Sequence, residues 1–232
     1  MPDQAIPDPL AAGPTPEAAA AIFGDNLSRA VAYHDSLVSS GPIRGLNGPR
    51  EVPVLWDRHI INSALVGYLP ERILPYGATV CDVGSGAGLP GIPLALARPD
   101  LQVTLLEPLE RRVAYLNEVV GALDLSNVEV VRGRAEPGGS AASRRFSFVT
   151  SRAVAPLHKL LPLCLPLVSV TGWIGAMKGR RAPEEIAELG PASRSELRSV
   201  EVVRTTSPNG DHVATVVVAQ RAARSARRAR KR

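Results

Sequence analysis

The 232 residues hold two cysteines, four histidines, three phenylalanines and two tryptophans, and these shortages narrow the chemistry. Cys81 and Cys164 are too few for a disulfide framework or a thiolate zinc site, and the apolar context of each suits a buried free thiol. The histidines, His34, His59, His158 and His212, fall at no metal-ligand spacing, so no metal is expected. The longest apolar run, Leu160 to Val170, is broken by Pro162 and Pro166 and falls short of the roughly 20 residues a membrane span needs. The first ten residues carry no basic segment leading into an apolar one. A signal peptide is therefore not expected, and a cytoplasmic location is. No Gly-Lys-Ser/Thr sequence supports Walker-type phosphate binding, and no Gly-x-Ser-x-Gly elbow supplies a hydrolase nucleophile.

What is present suits one compact domain with appendages: 45% of the residues are hydrophobic, enough at this length for a sizeable core. The net charge is +5, but seven positive charges lie in the last twelve residues, which leaves −2 for the rest of the chain. That tail, residues 221–232, is expected to be disordered when free. It reads either as a phosphate-binding arm or as a function-neutral terminus. Residues 1–16, rich in proline, read as a flexible leader.

From about Glu17 to Val38 the residues Ala20, Phe23, Leu27, Val31 and Val38, with His34 on their face, recur at helical spacing. The stretch SSGPIRGLNGP, residues 39–49, is expected to break that helix with its glycines and prolines. A second stripe, Val52, Leu55, Trp56, His59, Ile60, Ser63 and Val66, stops near Gly67 to Pro70. Residues 17–74 are thus expected to form a helical extension. Over 75–220, β-rich runs alternate with helical ones, which implies an α/β domain with a mostly parallel sheet and helices on both faces. The last two β-runs, joined by Ser207-Pro208-Asn209-Gly210-Asp211, leave no room for a helix and should pair antiparallel at the end of the sheet.

The first β-run, Thr79 to Val83, leads into a stretch with glycines at 84, 86, 88 and 91. Such a turn lets a ligand approach the main chain. Gly86, Gly88 and Gly91 match the dinucleotide fingerprint in letters, but their register is wrong for the strand end, and Pro90 and Pro93 interrupt the place where its helix should run. In the other register Asp82, Gly84, Gly86 and Gly88 give an acidic residue followed by Gly-x-Gly-x-Gly. This pattern resembles the S-adenosylmethionine (AdoMet) loop of Rossmann-like methyltransferases. Glu107, ending the next β-run, is placed to accept from both hydroxyls of a ribose, or is a solvated strand-end acid.

The segments DVGSGAGLPGIPLALARPDLQVTLLEPLERRVAYL, VRGRAE, SRAV and AMKG, with LWDRHIINS upstream, resemble the glucose-inhibited division protein B family over roughly residues 45–220. These are bacterial 16S rRNA guanine-N7 methyltransferases. The resemblance implies a class I AdoMet fold and AdoMet contacts at Gly84, Leu89, Ala135, Glu136 and Arg152. It also implies a guanine target in the 530 loop of 16S rRNA, nucleotide 527 in the usual bacterial numbering. The partner is then the small ribosomal subunit, with a monomer expected.

Arg58, His59, Lys178 and Arg180 are candidate RNA contacts. Arg152 also reads as a structural ion-pair partner, Lys178 as a solvated lysine, and His59 as a packed core histidine. The chain departs from the family's usual His-x-x-Asp-Ser, carrying Asn62 between His59 and Ser63. Guanine N7 is an unprotonated lone pair, so no general base is expected, and catalysis would rest on positioning. The alternative reading is an AdoMet-dependent methyltransferase acting on a small molecule or a protein.

Overall fold

A computed structural model describes residues 15–46, 48–135 and 143–223. The leader up to residue 14, Glu136 and the tail from residue 224 lie outside the described residues.

Seven strands form one sheet in the order β3-β2-β1-β4-β5-β7-β6: β1 (Thr79–Val83), β2 (Gln102–Glu107), β3 (Val128–Arg132), β4 (Phe146–Arg152), β5 (Val168–Met177), β6 (Leu197–Thr206) and β7 (Val213–Arg221). The first five in this order run parallel, and β7 lies antiparallel between β5 and β6. The chain order reverses direction at β1, whose neighbours are β2 on one side and β4 on the other. Open α/β sheets bind ligands at such a switch point.

Alternation along the strands sorts the core into two layers. Val80, Leu105 and Phe148 face one cluster, while Cys81, Leu106 and Val149 face the other. The second cluster is covered by α6 (Leu157–Cys164). The first is covered by α1 (Glu17–Phe23), α2 (Leu27–Arg44), α4 (Gly91–Ala97) and α5 (Glu110–Ala122). Tyr33, Leu37 and Ile60 share this cluster with Val80, Leu94 and Leu105, so the helical extension and the sheet bury one continuous core. Full burial of each such side chain contributes about 1.5–3 kcal/mol.

The extension differs from the single helix expected over 17–38. Gly24, at φ 49°, ends α1, and a 3₁₀ turn at Gly24–Asn26 resets the phase before α2. The buried face is therefore Ala18, Ala19, Ile22 and Phe23, then Ala30, Tyr33, His34, Leu37 and Val38, while Ala20 faces out. Within the expected breaking stretch, residues 39–49, α2 continues past Gly41 and Pro42. It runs to Arg44 and ends in a Schellman motif, with Gly45 at φ 65° and the Leu46 N–H donating to Gly41 O at 2.8 Å. The second stripe is buried as expected, but on a chain of short helices. A 3₁₀ segment, Pro49–Val54, passes into a π-helical turn, Leu55–Ile61, then α3 (Asn62–Ala64) and a 3₁₀ turn, Leu65–Tyr68.

Candidate active site

Gly84, Gly86 and Gly88 all take positive φ, at 71°, 59° and 98°, a region that side-chain-bearing residues rarely adopt. What the missing side chains make room for differs along the loop. A Cβ on Gly88 would strike Ile92, and one on Gly91 would strike Leu105 and approach Asp82 Oδ2 to 2.9 Å. These two glycines admit protein. A Cβ on Gly84 would meet Val154 Cγ2 at 2.7 Å. At Gly86 the nearest atoms would be Gly84 O at 3.8 Å and Arg112 Nη1 at 4.0 Å. The open side of the loop is at Gly86, and there a ligand has room to approach.

Two carboxylates brace the loop. Glu107 is 1% exposed. Its Oε2 accepts from the Gly86 N–H at 2.9 Å and its Oε1 from the Leu109 N–H at 3.0 Å. It is therefore not a solvated acid, and each oxygen keeps a second lone pair for a further donor. Asp82 is fully buried beneath the loop. Its Oδ2 accepts from the Gly91 N–H at 3.0 Å, and among the described residues its Oδ1 has no hydrogen-bond partner. Burial pushes its carboxyl up to about 7, against the lowering effect of the Gly91 N–H. Placed this way, Asp82 supports the start of α4 from below, while Glu107 stands at the rim. Tyr33 fastens the loop from α2, its hydroxyl donating to Ala87 O at 2.8 Å.

Of the remaining expected cofactor residues, Leu89, Ala135 and Arg152 sit on the same rim. Leu89 is half-buried against the core, and Ala135, past the end of β3, is buried. Arg152 ends β4, but most of its guanidinium is already engaged. Nη1 donates to His59 O and Ser63 Oγ at 3.1 and 2.9 Å. Nη2 donates to Arg58 O at 2.8 Å and lies 2.7 Å from His59 Nδ1. Its partners are the π-helical turn and the serine beyond it, not a carboxylate.

Beside Arg152 opens a cleft of about 720 Å³, lined by Asp57, Arg58, Asn62, Arg152, Ala153, Met177, Lys178, Gly179, Arg180, Val213 and Thr215. Three of the four expected RNA contacts, Arg58, Lys178 and Arg180, meet here, from segments more than 100 residues apart. Their freedom differs. Lys178 Nζ is tied to Ala155 O at 2.7 Å and Glu185 at 2.8 Å. Arg58 is exposed, with Glu51 at 3.5 Å, and Arg180 is exposed. His59 is drawn away from the cleft, with Nε2 2.6 Å from Glu51 Oε2.

Sequence reasoning missed Arg112, Asp57 and Thr215. Among the described residues the buried Nε of Arg112 has no hydrogen-bond partner, and its Nη1 reaches the open side of Gly86. No spacing marks it out from its neighbour Arg111. Asp57 is within hydrogen-bond distance of His212 at 3.1 Å; only the tertiary structure brings these residues together. Among the described residues no group of three or more His, Cys, Asp or Glu gathers to hold a metal, and no helix is long and apolar enough to cross a membrane.

A glycine loop at the β1 switch point, braced by the acid that ends β2, on a sheet whose last strand inserts antiparallel beside β5, defines a Rossmann-like methyltransferase. The crystal structure of a "predicted O-methyltransferase" from Agrobacterium tumefaciens shares the fold, with a TM-score of 0.54 at 17% identity over 70% of this chain and 81% of that one. The chain belongs to the GidB family, described as rRNA small subunit methyltransferase G, whose model matches residues 26–213. Ribosomal RNA small subunit methyltransferase G of Corynebacterium glutamicum is 57% identical over 176 residues, covering 74% of this chain and 76% of its own. That of Salinispora tropica is 55% identical over 191 residues, covering 79% and 77%. Membership makes the chain an AdoMet-dependent rRNA methyltransferase. The open backbone at Gly86 and the strand-end carboxylate of Glu107 fit that cofactor.

Proposed function

We propose that the chain methylates N7 of a single guanine in the 530 loop of 16S rRNA, and that the basic cleft beside Arg152 receives the nucleotide. The observation that carries this reading is the cleft itself, because it adjoins the cofactor rim through Arg152 and gathers Arg58 and Arg180 with their charges exposed. Cations so placed suit phosphates flanking a splayed-out base, the form in which RNA exposes its Hoogsteen edge.

The cofactor residues of this reading are Gly84, Gly86, Leu89, Glu107, Ala135 and Arg152, with Asp82 as a brace beneath them. AdoMet supplies an electrophilic methyl group on a sulfonium. Guanine N7 presents a lone pair without a proton, so no residue has to remove one. The protein's task is to hold donor and acceptor in line at roughly 3–3.5 Å. Glu107 and the loop fix one partner, and the cleft fixes the other.

The test is transfer of labelled methyl from AdoMet to small subunits purified from cells lacking this gene, with the modified base mapped. One labelled guanine N7 in the 530 loop is expected. No transfer by protein shown to bind AdoMet would overturn the rRNA target and leave a small-molecule or protein acceptor.

A further inference from the structure

Arg152 is held by an arrangement that the methyl-transfer chemistry does not call for. An arginine has five N–H groups and no acceptor, and four of the five on Arg152 are spent on the segment Arg58 to Ser63. The π-helical turn is what allows this, because it directs the carbonyls of Arg58 and His59 at one guanidinium. π-turns of this kind are common at functional sites.

The contact between Arg152 and His59 fixes the state of the imidazole. Arg152 can only donate, so Nδ1 of His59, 2.7 Å from Nη2, must accept. The ring proton then lies on Nε2 and is donated to Glu51 Oε2 at 2.6 Å. Protonating His59 would place an N–H on Nδ1 against the guanidinium and break the contact.

The charged groups facing the ring are Glu51 from the preceding 3₁₀ segment, Arg152 from β4 and Arg58 from its own turn. Burial lowers the His59 pKa. The hydrogen bond to Glu51 opposes this, and the charges of Arg152 and Arg58 add to it. The bond to His59 in turn holds the Glu51 carboxyl below its ordinary value.

We propose that His59 is a positioning residue, oriented by Glu51, whose neutral Nδ1 accepts from Arg152 and sets that guanidinium between the cofactor loop and the basic cleft. The helical extension thereby acts on the reaction through the Glu51–His59–Arg152 chain, and His59 touches no RNA. The inference rests on the proposed function in that Arg152 serves the transfer. It predicts that activity falls as pH drops through the lowered pKa of His59, because the relay exists only while the ring is neutral.

Two substitutions separate the relay from simple packing. In His59→Asn the amide oxygen comes near the place of Nδ1 and still accepts from Arg152, but cannot titrate. In His59→Gln the amide reaches toward the place of Nε2, keeping Glu51 and losing Arg152. The test is kcat for methyl transfer to small subunits over pH 5–9, together with the ¹⁵N shifts of the His59 ring in the full-length protein.

The ring is expected to show Nε2 protonated and Nδ1 bare at pH 7, titrating below an exposed histidine. His59→Gln should lose roughly 10- to 100-fold in kcat, the scale of a misplaced positioning group. His59→Asn should recover much of that loss and lack the acid limb of the parent profile. A proton on Nδ1 at pH 7 would overturn the proposal. So would equal impairment of both variants with the parent's pH profile, or full activity in both. If no form of the protein methylates small subunits, the rRNA reading fails separately, and the ring tautomer, which needs no substrate, still decides the relay.

Discussion

The glycine loop and the basic cleft meet at Arg152, yet they are assembled over very different chain distances. The loop's hydrogen bonds end almost wholly within residues 82–107. Gly84 and Ser85 donate to Leu106 O, Gly86 to Glu107, Gly88 to Ser85 O and Gly91 to Asp82. Tyr33 reaches in from α2 to Ala87 O, and Ser151 from β4 to Val83 O. The cleft draws on residues 57–62, 152–153, 177–180 and 213–215, and its shape depends on a π-turn bonded to the end of β4. The loop is thus a locally specified device, and substitutions in it should act on AdoMet and on folding. The cleft is a composite, and substitutions there should act on RNA.

The largest effect expected from breaking the loop's own bracing comes from Asp82. Its carboxyl, raised from 3.8 to about 7 by burial, holds its proton more tightly folded than unfolded. Its contribution to stability is fully present below about pH 3.8 and is lost as pH rises through about 7, worth about 4 kcal/mol at most. Asp82→Asn cannot titrate, and denaturant unfolding from pH 4 to 8 should show that loss removed. A pH dependence matching the parent's would mean that Asp82 is ionised in the folded protein.

Next is Gly84→Val, which forces a β-branched residue to φ 71° and into Val154. Strain of about 1–3 kcal/mol should weaken AdoMet binding by about 10- to 100-fold in calorimetry while the chain stays folded. An unaltered dissociation constant would remove Gly84 from the cofactor site. Glu107→Ala leaves the N–H groups of Gly86 and Leu109 without acceptors and should cost about 1–3 kcal/mol of stability and loosen AdoMet with it.

The smallest effect, and the sharpest test of the comparison, is Arg180→Ala. Loss of one exposed cation should lower the slope of log affinity for RNA against log salt by about one, with AdoMet affinity untouched. If AdoMet binding falls instead, loop and cleft are one site rather than two.

How much of this was legible in the sequence follows the same division. The β-runs Thr79–Val83 and Gln102–Glu107 emerge at the expected bounds, because strand period and the Gly-rich turn are local signals. The antiparallel end pair also forms, as a connection too short for a helix requires. Helix phase was less legible. Nothing in the apolar spacing marks Gly24 as a break, whereas the stop after α2, at Gly45 in the left-handed region, falls within the glycine- and proline-bearing stretch of residues 39–49. The π-turn at Leu55–Ile61 has no sequence period that distinguishes it from an α-helix over seven residues.

The sequence by itself determined that a strand ends in a backbone cradle at Gly84 to Gly88 with an acid one strand away at Glu107, because those contacts span few residues and depend on glycine's freedom and a strand's length. Only the tertiary structure decided that both carboxylates are buried, Asp82 beneath the start of α4 and Glu107 against the Gly86 N–H, that Lys178 is occupied by Glu185, and that Arg152 is gripped by His59 and its neighbours. Those outcomes depend on which side chains from distant segments compete for the same donors and the same exclusion from water.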